Sequence, residues 1–151
     1  MSGAGRLLGV DYGQARVGLA VSDAERRIAS PLATYRRQNP RRDADYFRAL
    51  VGAEDVVQMV VGLPVHLDGR EGALAAAARA FGRWLTETTN LPVVFWDERF
   101  TSVEAEAFLR SAGLTDKRRK ARRDRVAAQI LLQAYLDAGC PGESAPGPLE
   151  G

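Results

Sequence analysis

Residues 6 to 22 read RLLGVDYGQARVGLAVS, two apolar runs with YGQAR between them. Arg6 to Asp11 is apolar and ends in an acid, and Val17 to Val21 is apolar again. Two strands joined by a tight turn are predicted. RIASPLATY, residues 27 to 35, continues in strand-like composition. Pro31 interrupts it, and a proline that cannot donate to a ladder fits an edge or a bulge. The chain therefore opens with three antiparallel strands.

Working outward, residues 41 to 52 place Tyr46, Phe47, Leu50 and Val51 on one helical face. VVQMVVGLP (56–64) is a continuous apolar run, as in strands buried on both faces. Residues 69 to 89 are rich in Ala and Leu and predict a helix. LPVVFWDER (91–99) is a second buried strand ending in acids. Thr101 with Glu104 forms a capping box, which starts a helix ending near Gly113. A final helix is expected over 122 to 138. The fold class is α/β: a mixed sheet of three antiparallel N-terminal strands plus two parallel strands, flanked by helices.

The chain has 151 residues, enough for one domain with a real core. The domain is expected over 1–138. Residues 139–151, rich in Gly and Pro, read as a disordered tail. That tail holds Cys140, the single cysteine, which can make neither an internal disulfide nor a zinc cluster. No run approaches a membrane span and no secretory signal is visible, so a cytoplasmic protein without a membrane partner is expected. Net charge is +2, but KRRKARRDR (117–125) carries seven basic residues and one acid. The remainder is mildly acidic. Such a localised patch, with Lys117, Arg118, Arg119, Lys120, Arg122 and Arg123, is the footprint of a polyanion binder.

Acids stand at the strand ends. Asp11 closes the first strand, and Asp97 and Glu98 close the last. Side chains alternate along a strand, so only one of Asp97 and Glu98 can face Asp11. Asp124 lies in the apolar stripe of the last helix, with Ala127, Ala128, Leu131, Leu132 and Tyr135 at positions +3 to +11. A carboxylate there needs an Arg partner or a cation. Three carboxylates without His or Cys make an all-oxygen site that suits Mg²⁺ or Mn²⁺. Acid clusters holding such ions hydrolyse phosphodiesters. The basic run beside Asp124 points to the same nucleic-acid substrate.

Four blocks resemble a known family. GVDYGQARVGLAVSD (9–23), VVGLPVHLDGREG (60–72), DERFTSVEAE (97–106) and DRVAAQILLQAYLD (124–137) are similar, in order, to the signatures of the YqgF or RuvX family. The resemblance implies an RNase H-like nuclease domain. That family is described both as a Holliday junction resolvase and as a nuclease maturing the 5′ end of precursor 16S ribosomal RNA. By the resemblance Asp11, Glu98 and Asp124 are the catalytic metal ligands. Asp97 stands beside them, and Arg16, Arg99 and Thr101 contact a phosphate or brace the site. Two positions depart from the family pattern. Arg123 stands where an aliphatic residue usually precedes the helix Asp, and His66 where Asn is common.

The leading expectation is a metal-dependent endonuclease acting on structured RNA in ribosome biogenesis. Its alternative is a resolvase of branched DNA in recombination, whose paired symmetric cuts need a homodimer. An ATPase of the actin and sugar-kinase type shares the D-x-G turn but needs two such subdomains, and this chain has room for one. A non-catalytic ribosome-assembly factor would not need three intact acids.

Overall fold

The computed structural model describes residues 5–66, 68–100 and 116–142. β1 (Arg6–Asp11), β2 (Arg16–Ser22) and β3 (Ala29–Arg36) come first, followed by α1 (Pro40–Ala53) and β4 (Val56–Leu63). Then come α2 (Ala73–Thr89), β5 (Val93–Asp97), a 3₁₀ turn (Glu98–Phe100) and α3 (Asp116–Asp137). The sheet order is β3-β2-β1-β4-β5. β3–β2 and β2–β1 pair antiparallel, while β1–β4 and β4–β5 are parallel. This is the predicted mixed sheet. Pro31 occupies the edge strand β3, and the β2–β3 register shifts beside it: Leu19 faces Ala33 but Ala20 faces Pro31. The extra residue, Leu32, is a bulge at an edge, where a missing N–H is tolerated.

Both faces of the sheet are covered. Leu8, Val10, Val17, Leu19, Val61 and Leu63 join Phe47 of α1 and Phe81 and Leu85 of α2 in one core. Leu7, Ala20, Val60 and Trp96 join Ala128, Leu131, Leu132 and Tyr135 of α3 in the other. Strand alternation divides the residues between two apolar layers, which is why β1 and β4 read as continuous apolar runs.

Element ends differ from the sequence reading where local polar bonds intervene. α1 begins at Pro40 because the Asn39 side chain accepts from Arg42 N at 2.9 Å. α2 begins at Ala73, not 69. Residues 68–71 lie in a loop instead, with Gly69 at φ 91° and the Asp68 carboxylate accepting from Arg70 N. β5 ends at Asp97, and Glu98 already lies in the 3₁₀ turn. α3 begins at Asp116 rather than 122, so the basic run is the helix's own N-terminal part. Its Lys, Arg and Ala residues are good helix formers, and charge clustering alone does not end a helix. The helix expected from Thr101 to Gly113 lies outside the described residues, as do 143–151. Residues 139–142, expected to be disordered, fold back on the end of α3. Tyr135 donates to Pro141 O at 2.5 Å, and Cys140 is half-buried against the second core.

Candidate active site

Parity along the strands sorts the acids. Leu7 packs toward α3, so Gly9 and Asp11 share that face of β1. In β5, Phe95 faces α1 and α2 while Trp96 faces α3. Asp97 therefore points away from α3, and Glu98 comes round to the side of Asp11. Gly62, on neighbouring β4, leaves room for it. A Cβ at Gly62 would lie 2.7 Å from Glu98 Oε1, closer than two such atoms can stand. Asp11, Gly62 and Glu98 line one cavity of about 170 Å³, walled by Tyr12, Pro64, Leu74 and Ala78. It opens at the carboxyl ends of β1, β4 and β5, where open α/β sheets bind ligands.

Asp97 is fully buried and holds the turn that presents Glu98. Its Oδ1 accepts from Arg99 N at 2.9 Å, and both carboxylate oxygens accept from the Arg99 guanidinium. Asp97 and Arg99 thus form an ion pair beside the site. Arg99 also lines a wider neighbouring cavity of about 480 Å³ with Glu98 and His66. His66 is at the site mouth, exposed, as its loop position suggests.

Asp124 approaches from α3. Its Oδ2 accepts from Arg16 Nε at 2.7 Å. The Arg partner that an inward-facing Asp124 requires is therefore Arg16, at the start of β2, and not a helix neighbour. The approach depends on Gly18, because a Cβ there would stand 1.9 Å from Asp124 O. The glycine of the R-x-G spacing lets the helix backbone rest on the strand.

The electrostatics report crowding. Asp11 is pushed up to about 7, first by burial, then by the charges of Glu98 and Asp124 and a hydrogen bond with Glu98. Burial also raises Glu98, and Asp97 adds to that, while the bond to Asp11 acts the other way. Burial and crowding together hold both acids above the usual carboxylate range. Among the described residues no three His, Cys, Asp or Glu side chains stand close enough together to hold a metal ion. The pair Asp11 and Glu98 is nevertheless an all-oxygen donor set whose repulsion a hard dication would relieve, and the residues fit such an ion. Asp124 would have to turn from Arg16 to join it.

Of the remaining expected residues, Arg122 and Arg123 are exposed on α3. Lys117, Arg118, Arg119 and Lys120 lie in the helix, and their side chains are outside the described ones. Thr101 is outside the described residues altogether. Sequence reasoning missed Gly62 as the space Glu98 occupies. The glycine before Leu63-Pro64 was its signal. It also missed Tyr12 and Leu74 as walls.

A five-stranded sheet of this order, with acids after β1 and β5 and a third on the covering helix, is the RNase H-like fold. The chain belongs to the RuvX family, described as Holliday junction resolvase, whose pattern matches residues 5–138. A Rhodopirellula baltica protein named "Putative pre-16S rRNA nuclease" is 46% identical over 134 residues, 89% of this chain and 78% of that one. Relatives of the same name from Koribacter versatilis and Chloroflexus aggregans are 42% and 45% identical, covering 88% and 87% of this chain and 87% and 93% of theirs. Among solved structures, Thermus thermophilus RuvC with a Holliday junction superposes with TM-score 0.52 at 14% identity, covering 91% of this chain and 98% of that one. Fowlpox virus resolvase with junction DNA gives 0.53 at 10%, covering 90% and 99%. These two share the fold. Among the described residues no helix is long and apolar enough to cross a membrane.

Proposed function

We propose that this chain is a divalent-metal-dependent nuclease that matures the 5′ end of precursor 16S ribosomal RNA. One observation carries the reading: Asp11 and Glu98 stand side by side, half-buried, at the sheet's carboxyl edge, with Asp124 close enough to raise the Asp11 pKa. Asp11, Glu98 and Asp124 would hold Mg²⁺ or Mn²⁺, which supplies an activated water and charge stabilisation at the leaving oxygen. The chain's own groups do the rest. Asp97 and Arg99 fix the turn that aims Glu98. Arg16 holds Asp124 until a cation competes for it, and is then available to a phosphate. The basic first turns of α3 steer the polyanion to the acids. The relatives' name favours the ribosomal substrate, and cytoplasmic ribosome assembly is the matching setting.

The family's description favours a second reading, resolution of four-way DNA junctions by a homodimer. One experiment separates them. The protein is incubated with Mn²⁺ or Mg²⁺ and labelled 16S leader RNA, four-way DNA junction or linear duplex, with Asp124→Asn as control. Leader cleavage absent from the control supports RNA maturation. Paired symmetric junction cuts support the resolvase. No control-sensitive cleavage of any substrate defeats both.

A further inference from the structure

Beside the acid cavity lies a second, aromatic one that the hydrolytic reading does not use. It measures about 340 Å³ and is lined by Tyr12, Arg37, Pro40, Phe81 and Trp84. Tyr12 follows Asp11 directly and walls both cavities, so the two adjoin. Phe81 and Trp84 stack at 5.4 Å between centroids, and Tyr12 tilts against Phe81 at 4.8 Å. Arg37 lies over this group, 5.6 Å from the Tyr12 centroid and 5.1 Å from that of Phe81. Its guanidinium donates to Tyr12 Oη at 3.2 Å and is 3.5 Å from the buried Asp43 carboxylate. Asp43 in turn accepts from Tyr35 Oη and Gln38 N, so the guanidinium rests on a fixed base.

The rim is basic. Residues 35 to 42, YRRQNPRR, carry four arginines and no acid. Arg41 and Arg42, which follow the groove residue Pro40, are exposed in the first turn of α1. Cations are unfavourable at a helix N-terminus, so their place there opposes the stability of the helix alone. Aromatic walls, an arginine over the rings and a cationic rim together are the chemistry that takes up an unpaired nucleotide. An apolar partner would have no use for the rim.

We propose that this groove binds an unpaired nucleobase of the substrate strand, next to the acid cavity of Asp11 and Glu98, with Arg41 and Arg42 on the flanking phosphates. The inference rests on the nuclease reading and extends it. The enzyme would select a strand with at least one unstacked base beside the cut, which a continuous duplex does not offer.

The test uses the full chain in EDTA, so that nothing is cleaved. Single-stranded adenine oligonucleotides, as DNA and as RNA, are titrated against abasic DNA of the same length. Anisotropy reads binding and tryptophan emission reads stacking. The base-bearing strands should bind roughly tenfold or more tightly than the abasic one. They should also quench emission, and Trp84→Phe should remove the quench. Arg41→Ser should lower the salt dependence of binding by about one phosphate contact. Equal affinity for abasic and base-bearing strands, or binding without a Trp84 response, would overturn the proposal, as would no binding of single strands. Those failures are distinguishable from failure of the nuclease reading, which would be loss of metal-dependent cleavage with the groove signal intact.

Discussion

At the scale of single residues, Asp11 makes the strongest commitments. Its pKa lies near 3.8 in an unfolded chain and about 7 in the fold. A raised acid contributes its full stability below the unfolded value and loses it as pH rises through the folded one. The metal-free protein should therefore lose part of its thermal stability between about pH 4 and about pH 7. Melting curves of Asp11→Asn should lack that part, and superimposable pH profiles for the two proteins would contradict the crowding. Asp11→Asn, Glu98→Gln and Asp124→Asn each keep volume and remove charge. Cleavage should fall below detection in all three while substrate still binds, and a fully active variant would show that its acid lies outside the reaction. Gly62→Ala tests the same geometry by steric means. Its methyl would displace the Glu98 carboxylate, so activity should drop by at least tenfold with far-ultraviolet circular dichroism unchanged.

At the scale of elements, α3 is both the carrier of Asp124 and a lid on the sheet. Gly18→Val should push the helix from β2 and cost about 1–3 kcal/mol, read by urea denaturation. A neutral result would mean that the helix can slide without loss. The element order and sheet class were legible in the sequence, because apolar runs mark strands buried on both faces and because Pro31 marks an edge. The start of α3 was not. Helix propensity runs unbroken through Lys117 to Arg123, and charge repulsion between solvated side chains is too weak to set a boundary. Alternation alone left Glu98 as one of two candidates; the resemblance singled it out, and Trp96 facing α3 puts it on the side of Asp11. The partner of Asp124 is 108 residues away in sequence, so no local pattern could name Arg16. The aromatic groove was equally hidden, since it is assembled from β1, the β3–α1 corner and α2.

At the scale of the whole molecule, cation and polyanion should both report on one surface. Mn²⁺ should raise the melting temperature more at about pH 8, above the Asp11 pKa of about 7, than at about pH 5, where a proton on Asp11 competes. The Asp11→Asn protein should lose most of that difference, and an equal rise in both proteins would place the ion elsewhere. Neutralising Lys117, Arg118, Arg119 and Lys120 together should weaken substrate binding. It should also lower the slope of log affinity against log salt by up to roughly 3 to 4. An unchanged slope would put the substrate away from α3.

The margin of the sheet has a consequence of a different kind. A strand bonded on one side only is a template on which further chains can assemble. Here Ala29 has both of its backbone groups engaged by α3: its N–H donates to Gln133 and its carbonyl accepts from Gln129. Two residues further along, Pro31 offers no donor and the bulge breaks the register. The start of β3 is thus capped against the addition of a further strand at this margin. Replacing Pro31 with Val and Gln133 with Ala would uncap it. Slow, seedable growth of thioflavin-positive fibrils is then the expected fate of the doubly substituted chain on storage.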